Sequence, residues 1–357
     1  MRKIKIQDKF VGEDEPCFII AEAGGNANSD IKLARELIKK AADAGVDAIK
    51  FQNFRAEKLV TKTAPKYWVD TLGEWTANKK PRGYQIDEFK LLDQLPENTY
   101  PELIKLAEKL GIVFFSTPFD EDSVDFLDEL GVPLFKIASA DITYLSFIKR
   151  IAEKGKPVIL STGASNLDEI KKAVNAIEST GNKDIILLHC TLHYPTAIEN
   201  ANLRMIQTIQ NKFPDYPVGL SDHTMGNFAP TIAVALGAKA IEKHYTLDKS
   251  LPYSSDHFMS VDPPELEKLV NDIRLVEVAM GSAEKKIVPV EIDALKFARR
   301  SVVANQDIPK GTKITGKMLI CKRPGTGIQP NDIEKIIGKK TKREIKKDSL
   351  IGWKDIE

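Results

Sequence analysis

One sequence pattern, a predicted helix followed by a glycine and a predicted strand, recurs along most of the chain and limits the folds that the chain can adopt. In its first copy, apolar residues at helical spacing from Ile31 to Ala41 precede Gly45 and the strand segment VDAIKF. The pattern recurs in LIKLAEKLGIVFFST, VDFLDELGVPLFKIAS, FIKRIAEKGKPVILST, IKKAVNAIESTGNKDIILLHC and IAVALGAKAIEKHYT. A glycine after the last helical turn is a common helix stop. Strands that alternate with amphipathic helices predict a parallel sheet covered by helices.

The number of strand candidates decides between a barrel and an open sheet. The candidates are CFIIAEA, VDAIKF, IVFFST, VPLFKIAS, PVILST, DIILLHC, PVGLS and AKAIEKHY, and the helical segment PPELEKLVNDIRLVEVAMG follows the last of them. Eight strands with a closing helix are typical of a TIM (β/α)8 barrel. The alternative, a Rossmann-like sheet, needs a GxGxxG segment after the first strand, and GGNANS carries only the leading pair of glycines. We therefore predict an α/β fold with a TIM barrel over residues 1–281.

Three further segments depart from this rhythm. Residues Ile4 to Val11 alternate enough to predict a short hairpin before the first barrel strand. The connection over residues 53–100 is far longer than an ordinary βα loop, which is typical of lids and substrate walls. After Gly281, a linker over 282–298 leads to short alternating runs separated by Pro-Lys-Gly, Pro-Gly and Gly-Lys-Lys. This pattern predicts a small β-rich domain over 299–357.

Charge and cysteine content exclude several classes of function. With 52 Lys+Arg against 51 Asp+Glu, the chain has no excess charge to attract nucleic acid or an anionic membrane. Cys17, Cys190 and Cys321 form no CxxC pair, which favours reduced thiols. The amino-terminal stretch has neither a cleavage pattern nor a long apolar run. A cytoplasmic protein is the expectation.

Two histidines follow neighbouring strand segments. His223 comes after VGLSD, and His244 ends AIEKH. The carboxyl ends of barrel strands lie side by side where active sites are built, so the two imidazoles are expected to converge. Imidazole suits divalent transition metals, and a site with two protein ligands keeps positions open for substrate oxygen and water. The alternative is that His244 is a core or capping histidine and His223 a loop histidine.

Two lysines interrupt apolar strand segments. Lys50 lies in DAIKFQ and Lys136 in PLFKIAS, and a buried ammonium needs an anionic partner. Hydroxyl groups at neighbouring strand ends could add donors to the same anion. Either the lysines bind a phosphate or carboxylate substrate, or each pairs with a buried carboxylate such as Glu22. An anion site beside a metal site would suit the addition of a phosphorylated enol to an aldehyde.

The chain resembles the sialic acid synthase family of phosphoenolpyruvate-condensing barrels. The motifs that carry the resemblance are, in order, IIAEAGGN, AIKFQ, FFSTPF, FKIAS, ILSTG, LLHCTLHYP, GLSDHT and IEKHYTLDK. The tail, from ARRSVVANQDIPKGTKIT through CKRPGTGI to GKKTKREIKKD, is similar to the antifreeze-like SAF domain of these enzymes. The resemblance implies condensation of phosphoenolpyruvate with an N-acylated hexosamine such as N-acetylmannosamine, with release of phosphate.

The resemblance also implies roles for single residues. His223 and His244 would hold Mn²⁺, with Mg²⁺ or Co²⁺ as alternatives, and the metal would polarise the sugar aldehyde. Glu22, with Gln52 beside it, would handle the attacking water or the sugar. The residues that would grip phosphoenolpyruvate are Lys50, Thr117, Lys136, Ser139, Ser161 and Ser221, and those that would contact the amino sugar are Tyr194 and Asp256. Arg323 of the SAF domain would reach the site of the partner protomer, which implies a domain-swapped homodimer.

Some residues depart from the family pattern. Ala27 follows Asn26 where the family usually has histidine, and Asp141, a further candidate catalytic residue, stands where many members have glutamate. Leu192 and the PYSSDH segment differ on the sugar side. These departures leave other functions open: synthesis of a legionaminic-type or pseudaminic-type acid from a 6-deoxy diacetamido hexose, condensation with a sugar phosphate, or non-catalytic carbohydrate binding. A second cluster of Arg and Lys would favour the sugar phosphate, and none is evident at the strand ends.

Overall fold

Eight parallel strands close into a barrel in the computed structural model, which describes residues 1–92 and 95–357. The chain divides into two units, Met1–Gly281 and Ser282–Glu357. The strands of the first unit are β1 Ile4–Ile6, β2 Lys9–Val11, β3 Phe18–Gly24, β4 Ala48–Asn53, β5 Val113–Pro118, β6 Phe135–Ile137, β7 Val158–Ser161, β8 Ile185–Cys190, β9 Val218–Asp222 and β10 Ala240–His244. Strands β3 to β10 pair in chain order, and β10 closes the barrel against β3. The predicted TIM barrel is confirmed.

Helices surround the barrel because each has one apolar face. They are α1 Ile31–Asp43, α2 Ala56–Leu59, α3 Leu72–Thr76, α4 Gln85–Phe89, α5 Tyr100–Lys109, α6 Glu121–Glu129, α7 Leu145–Ala152, α8 Leu167–Glu178, α9 Met205–Lys212, α10 Phe228–Ala235 and α11 Pro263–Met280. In α1 the buried positions Ala34, Leu37, Ile38 and Ala41 follow helical spacing. They belong to the main core, which lies between helices and strands.

A second apolar cluster fills the barrel itself and fixes which end stays open. It joins the hairpin residues Ile4, Ile6 and Val11 to residues near the start of the strands, including Phe18 and Ala240. The predicted hairpin is present as the antiparallel pair β1–β2, and it covers the amino-terminal end of the barrel. Polar side chains can then collect only at the carboxyl ends of the strands, where barrel enzymes build their sites.

The long connection between β4 and α5 contains the short helices α2, α3 and α4. Its aromatic residues pack on one another: Phe54 and Phe89 lie 5.4 Å apart, and Trp68 and Phe89 lie 5.8 Å apart, between ring centroids. Residues 93 and 94 of the predicted 53–100 segment lie outside the described part. The connection is thus a folded excursion with its own aromatic packing.

The second unit has its own core and little regular structure. Strands β11 Ser301–Ala304 and β12 Leu319–Lys322 form an antiparallel pair. Isolated bridges such as Val303 to Leu350 extend the pairing. Its buried residues are mostly isoleucines, with Ile336, Ile345 and Ile351 fully buried. Within the described residues of both units, no helix combines the length and apolar character needed to cross a membrane.

Candidate active site

A cavity of about 500 Å³ opens at the carboxyl ends of the barrel strands. Every candidate site residue that the sequence places in the barrel lines it: Glu22, Lys50, Gln52, Thr117, Lys136, Ser139, Asp141, Ser161, Tyr194, Ser221, His223, His244 and Asp256. Strand register explains part of this convergence, because His244 lies opposite Glu22, and Glu22 lies opposite Lys50, on adjacent strands. Arg323 belongs to the second unit, on the segment that follows β12.

The two lysines lie in one cluster with two carboxylates. Lys50 Nζ lies 2.6 Å from Glu22 Oε2 and 3.8 Å from Glu242 Oε2, and it donates to Thr117 Oγ1 at 3.0 Å. Lys136 Nζ lies 3.8 Å from Glu242 Oε1. All four charged side chains are almost fully buried. The pairing of Lys50 with Glu22 is the alternative that the sequence left open, and Lys136 has no carboxylate at such short range among the described residues.

The environment separates the two carboxylates electrostatically. Burial raises the pKa of Glu22, and the nearby Lys50 ammonium only partly opposes this rise. Burial also acts to raise the pKa of Glu242, but Lys136 and Lys50 outweigh it and lower the pKa to about 2. Burial lowers the pKa of Lys136. Glu242 is therefore the permanent anion of the cluster, and Glu22 is the carboxylate that can exchange a proton.

Two serine hydroxyl groups line the same cavity as Lys136. Ser139 Oγ accepts the Gly163 N–H at 2.9 Å and also forms a hydrogen bond with the Cys190 side chain. The buried Ser161 Oγ has no hydrogen-bond partner among the described residues. Gly163 has to lack a side chain, because a Cβ there would lie 2.9 Å from Ser139 Oγ. An anion bound in this cavity beside Lys136 would contact these hydroxyl groups. Gly163 is not among the site residues that the sequence predicts.

The two histidines lie together on one side of the cavity. Their ring centroids are 5.2 Å apart, and the Tyr194 ring centroid lies 4.1 Å from that of His223 with an angle of 34° between the ring planes. His223 Nδ1 lies 2.9 Å from the Thr191 carbonyl oxygen, and His244 Nδ1 lies 3.2 Å from Asp256 Oδ2. The carbonyl acceptor at His223 Nδ1 leaves Nε2 of that ring as the nitrogen with a free lone pair, as in metal-binding histidines. The Asp256 carboxylate faces His244 Nδ1 at ion-pair distance without an aligned hydrogen bond.

These two imidazoles fit a divalent metal that completes its coordination with substrate or water. Within residues 1–92 and 95–357, no group of three or more His, Cys, Asp or Glu residues could hold a metal ion by protein ligands alone. Any ion bound between His223 and His244 would therefore need oxygen ligands from outside the protein. A site with two protein ligands would be of the open, catalytic type rather than the closed, structural type.

Alternation along two strands separates groups inside the barrel from groups outside it. Ser221 and His223 on one segment and Glu242 and His244 on the other line the cavity, and Ser221 Oγ donates to Glu242 Oε1 at 2.8 Å. The intervening residues, Asp222 and Lys243, do not line the cavity. They pair with each other, with 2.6 Å between Asp222 Oδ2 and Lys243 Nζ.

Glu242 is a charged residue of the site that the sequence analysis did not identify. The period of two along a strand places it on the same face as His244, and that signal could have identified it.

Many of the residues that line the cavity are apolar or aromatic. They are Phe54, Leu59, Val60, Tyr67, Trp68, Phe89, Leu92, Phe119 and Leu192. Among the described residues that line the cavity, Lys50 and Lys136 are the only lysine or arginine residues. The site thus combines polar groups, including two ammonium groups, with apolar side chains that suit apolar substituents.

Fold and site together define a class: a TIM barrel whose mouth combines buried lysines and hydroxyl groups with two adjacent imidazoles. Comparison with known proteins narrows this class. The chain matches the NeuB family over residues 37–285 and the SAF domain over residues 299–357. It belongs to the NeuB family, a family whose members include sialic, legionaminic and pseudaminic acid synthases.

Individual relatives cover nearly the whole chain. The N,N'-diacetyllegionaminic acid synthase of Legionella pneumophila is 42% identical over 350 residues, which is 97% of this chain and 96% of the relative. The human N-acetylneuraminate-9-phosphate synthase is 37% identical and covers 96% of this chain and 93% of its own length. A solved sialic acid synthetase from Leptospira borgpetersenii, 35% identical, superposes with a TM-score of 0.71 over 82% of this chain and 95% of its own.

Proposed function

We propose that the protein is a nonulosonic acid synthase that condenses phosphoenolpyruvate with an N-acylated hexosamine and releases phosphate. The observation that carries the proposal is that Lys50 and Lys136 lie in the same cavity as His223 and His244. Two buried ammonium groups suit an anionic substrate, and two adjacent imidazoles suit an ion that activates its partner. Membership of the NeuB family supports the same reaction class.

In this proposal each part of the cavity has one task. Lys50, Lys136 and the hydroxyls of Thr117, Ser139, Ser161 and Ser221 bind the phosphate and carboxylate of phosphoenolpyruvate. A divalent ion, with Mn²⁺ as the first choice, would be held by His223 and His244 and would polarise the sugar aldehyde. Enol C3 forms a bond to the aldehyde carbon, water adds at C2, and cleavage of the C–O bond releases phosphate. Glu22 exchanges the proton of that water, with Gln52 Nε2 donating to Glu22 Oε1 at 2.8 Å.

The acceptor in this proposal is an amino sugar without a phosphate group. A phosphorylated acceptor, which the name of the human relative points to, would need a second cationic cluster, and the described residues that line the cavity include no lysine or arginine besides Lys50 and Lys136. Tyr194 and Asp256 would contact the acylamino group. N-acetylmannosamine and a 6-deoxy diacetamido hexose both satisfy these limits. The apolar wall favours the second, because a methyl group and an additional acyl group replace hydroxyls there.

The proposed active unit is a domain-swapped homodimer in the cytoplasm, in which Arg323 of a second copy completes each site. The three cysteines are free thiols, which suits a reducing compartment. Mixed dimers of Arg323→Ala with His244→Ala contain one site that lacks both changes. We expect such dimers to recover activity that neither variant has alone, and verified mixed dimers without recovery would contradict the swapped arrangement.

The direct test of the reaction is phosphate release from phosphoenolpyruvate with Mn²⁺ and a panel of acceptors. The panel contains N-acetylmannosamine, its 6-phosphate, and 6-deoxy diacetamido hexoses, with mass spectrometry of the products. We expect turnover with an unphosphorylated acceptor and loss of turnover in His244→Ala. Turnover with the 6-phosphate alone would refute the acceptor class. No turnover with any acceptor would favour the remaining alternative, a carbohydrate-binding protein without catalysis.

A further inference from the structure

A buried carboxylate, Glu88, ties the long connection to the loop before α11. Its side chain is 8% exposed, although it belongs to the short helix α4. Glu88 Oε2 accepts from Trp68 Nε1 at 2.8 Å and lies 2.8 Å from Lys66 Nζ. Glu88 Oε1 accepts the backbone N–H of Ser255 at 3.0 Å. One side chain therefore holds three donors from three positions, and a buried carboxylate with this many donors is fixed in place.

The Ser255 contact leads directly to the histidine pair. Ser255 precedes Asp256, whose Oδ2 lies 3.2 Å from His244 Nδ1. On the other side, the Asp256 carbonyl oxygen accepts from Ser260 N at 3.0 Å and Ser260 Oγ at 2.7 Å. The Asp256 N–H also donates to Ser254 Oγ at 3.2 Å, so Ser254, Ser260 and, through Ser255, Glu88 all hold this backbone. The position of the carboxylate that faces His244 depends on these contacts.

We propose that Glu88 is a positioning residue: by holding Ser255 it fixes Asp256 and, through Asp256, the ring of His244. Both of its oxygens are taken by protein donors, so this role needs no contact with substrate, although Glu88 also lines the cavity. The effect of Glu88 on metal binding rests on the proposed function, whereas its hydrogen bond to the loop that carries Asp256 does not. The long connection also contains many of the apolar residues that line the cavity. Glu88 therefore links the part of the wall proposed to contact the sugar acceptor to the loop beside the two histidines.

Replacement by glutamine tests the hold with little change of shape. A glutamine has one acceptor oxygen, and that oxygen is expected to turn towards Lys66 and Trp68, which supply two donors. Its NH₂ group then faces the Ser255 N–H, where two donors cannot bond. Glu88→Gln should therefore release Ser255, and Glu88→Ala should release all three donors. The matched control is Glu57→Gln, which removes an exposed carboxylate of the same connection that pairs with Lys90 at 3.4 Å.

Two measurements on the full-length, metal-stripped protein decide the matter. Hydrogen exchange of peptides spanning residues 253–258 reports the hold on the loop, and titration with Mn²⁺ alone, followed by electron paramagnetic resonance, reports the histidines. In Glu88→Gln we expect at least about 10-fold faster exchange and about 10-fold weaker Mn²⁺ binding. Glu57→Gln should match wild type in both.

The outcomes separate the parts of the proposal. Unchanged exchange in both Glu88 variants would overturn it, and so would faster exchange with unchanged Mn²⁺ affinity, because Glu88 would then be a structural contact only. A wild-type protein that binds no Mn²⁺ would defeat the metal assignment of the proposed function, and the exchange data would still decide whether Glu88 holds the Asp256 loop. Mn²⁺ binding without turnover would count against the reaction and leave the Glu88 result standing.

Discussion

Lys243→Met should be one of the most damaging single changes outside the cavity. The Lys243 side chain is fully buried, and its partner Asp222 is 2% exposed. Removing one member of a buried ion pair costs about 3–5 kcal/mol, because the other charge stays buried without compensation. Asp222 keeps hydrogen bonds from Thr224 N and Thr224 Oγ1, at 3.0 and 3.1 Å, so we expect the lower end of that range. A loss of about 3 kcal/mol corresponds to a fall in Tm of about 6–12 °C.

Calorimetry of two variants and a control checks this estimate. Lys268→Met removes an exposed ion pair with Asp272 and should shift Tm by no more than about 2 °C. Asp222→Asn added to Lys243→Met removes the unpaired charge and keeps an acceptor for Thr224, so the double variant should be more stable than Lys243→Met alone. Equal shifts for Lys243→Met and Lys268→Met, or a double variant less stable than Lys243→Met, would refute the reasoning.

Three further changes probe the cavity. Burial raises the pKa of Asp141 to about 6 from 3.8, so protonation of this carboxyl group stabilises the folded state. As pH rises from about 4 to about 7, the free energy of unfolding of the wild type should therefore fall by about 1–3 kcal/mol relative to that of Asp141→Asn. Denaturant unfolding of both proteins across that pH range measures the difference. Plots of unfolding free energy against pH that run parallel for the two proteins would contradict the prediction. Lys136→Met should weaken phosphoenolpyruvate binding about 10–100-fold by calorimetric titration, against little change for Lys268→Met. Gly163→Ala should displace Ser139 and raise the KM for phosphoenolpyruvate about 10-fold, and an unchanged KM would exclude Ser139 as a phosphate ligand.

Much of the site could be predicted because the fold uses a simple rule. Once the repeated pattern of helix, glycine and strand indicates a barrel, the polar residues at the carboxyl ends of the strands must lie together at one end of that barrel. Lys50, Lys136, His223 and His244 follow from that rule, and all of them line one cavity in the structure. The rule identifies which residues meet, but it carries no information on which atoms pair.

Pairing depends on distances that arise only when the barrel closes. The position of Glu242 between two lysines, the pairing of Asp222 with Lys243 behind the histidines, and the contact from Glu88 to Ser255 join residues far apart in sequence. Local pattern therefore determined the strands, their ends and the family likeness. Tertiary structure decided which carboxylate is the fixed anion and which residues hold the histidines, because burial and nearest neighbours set those energies and neither is encoded in local spacing.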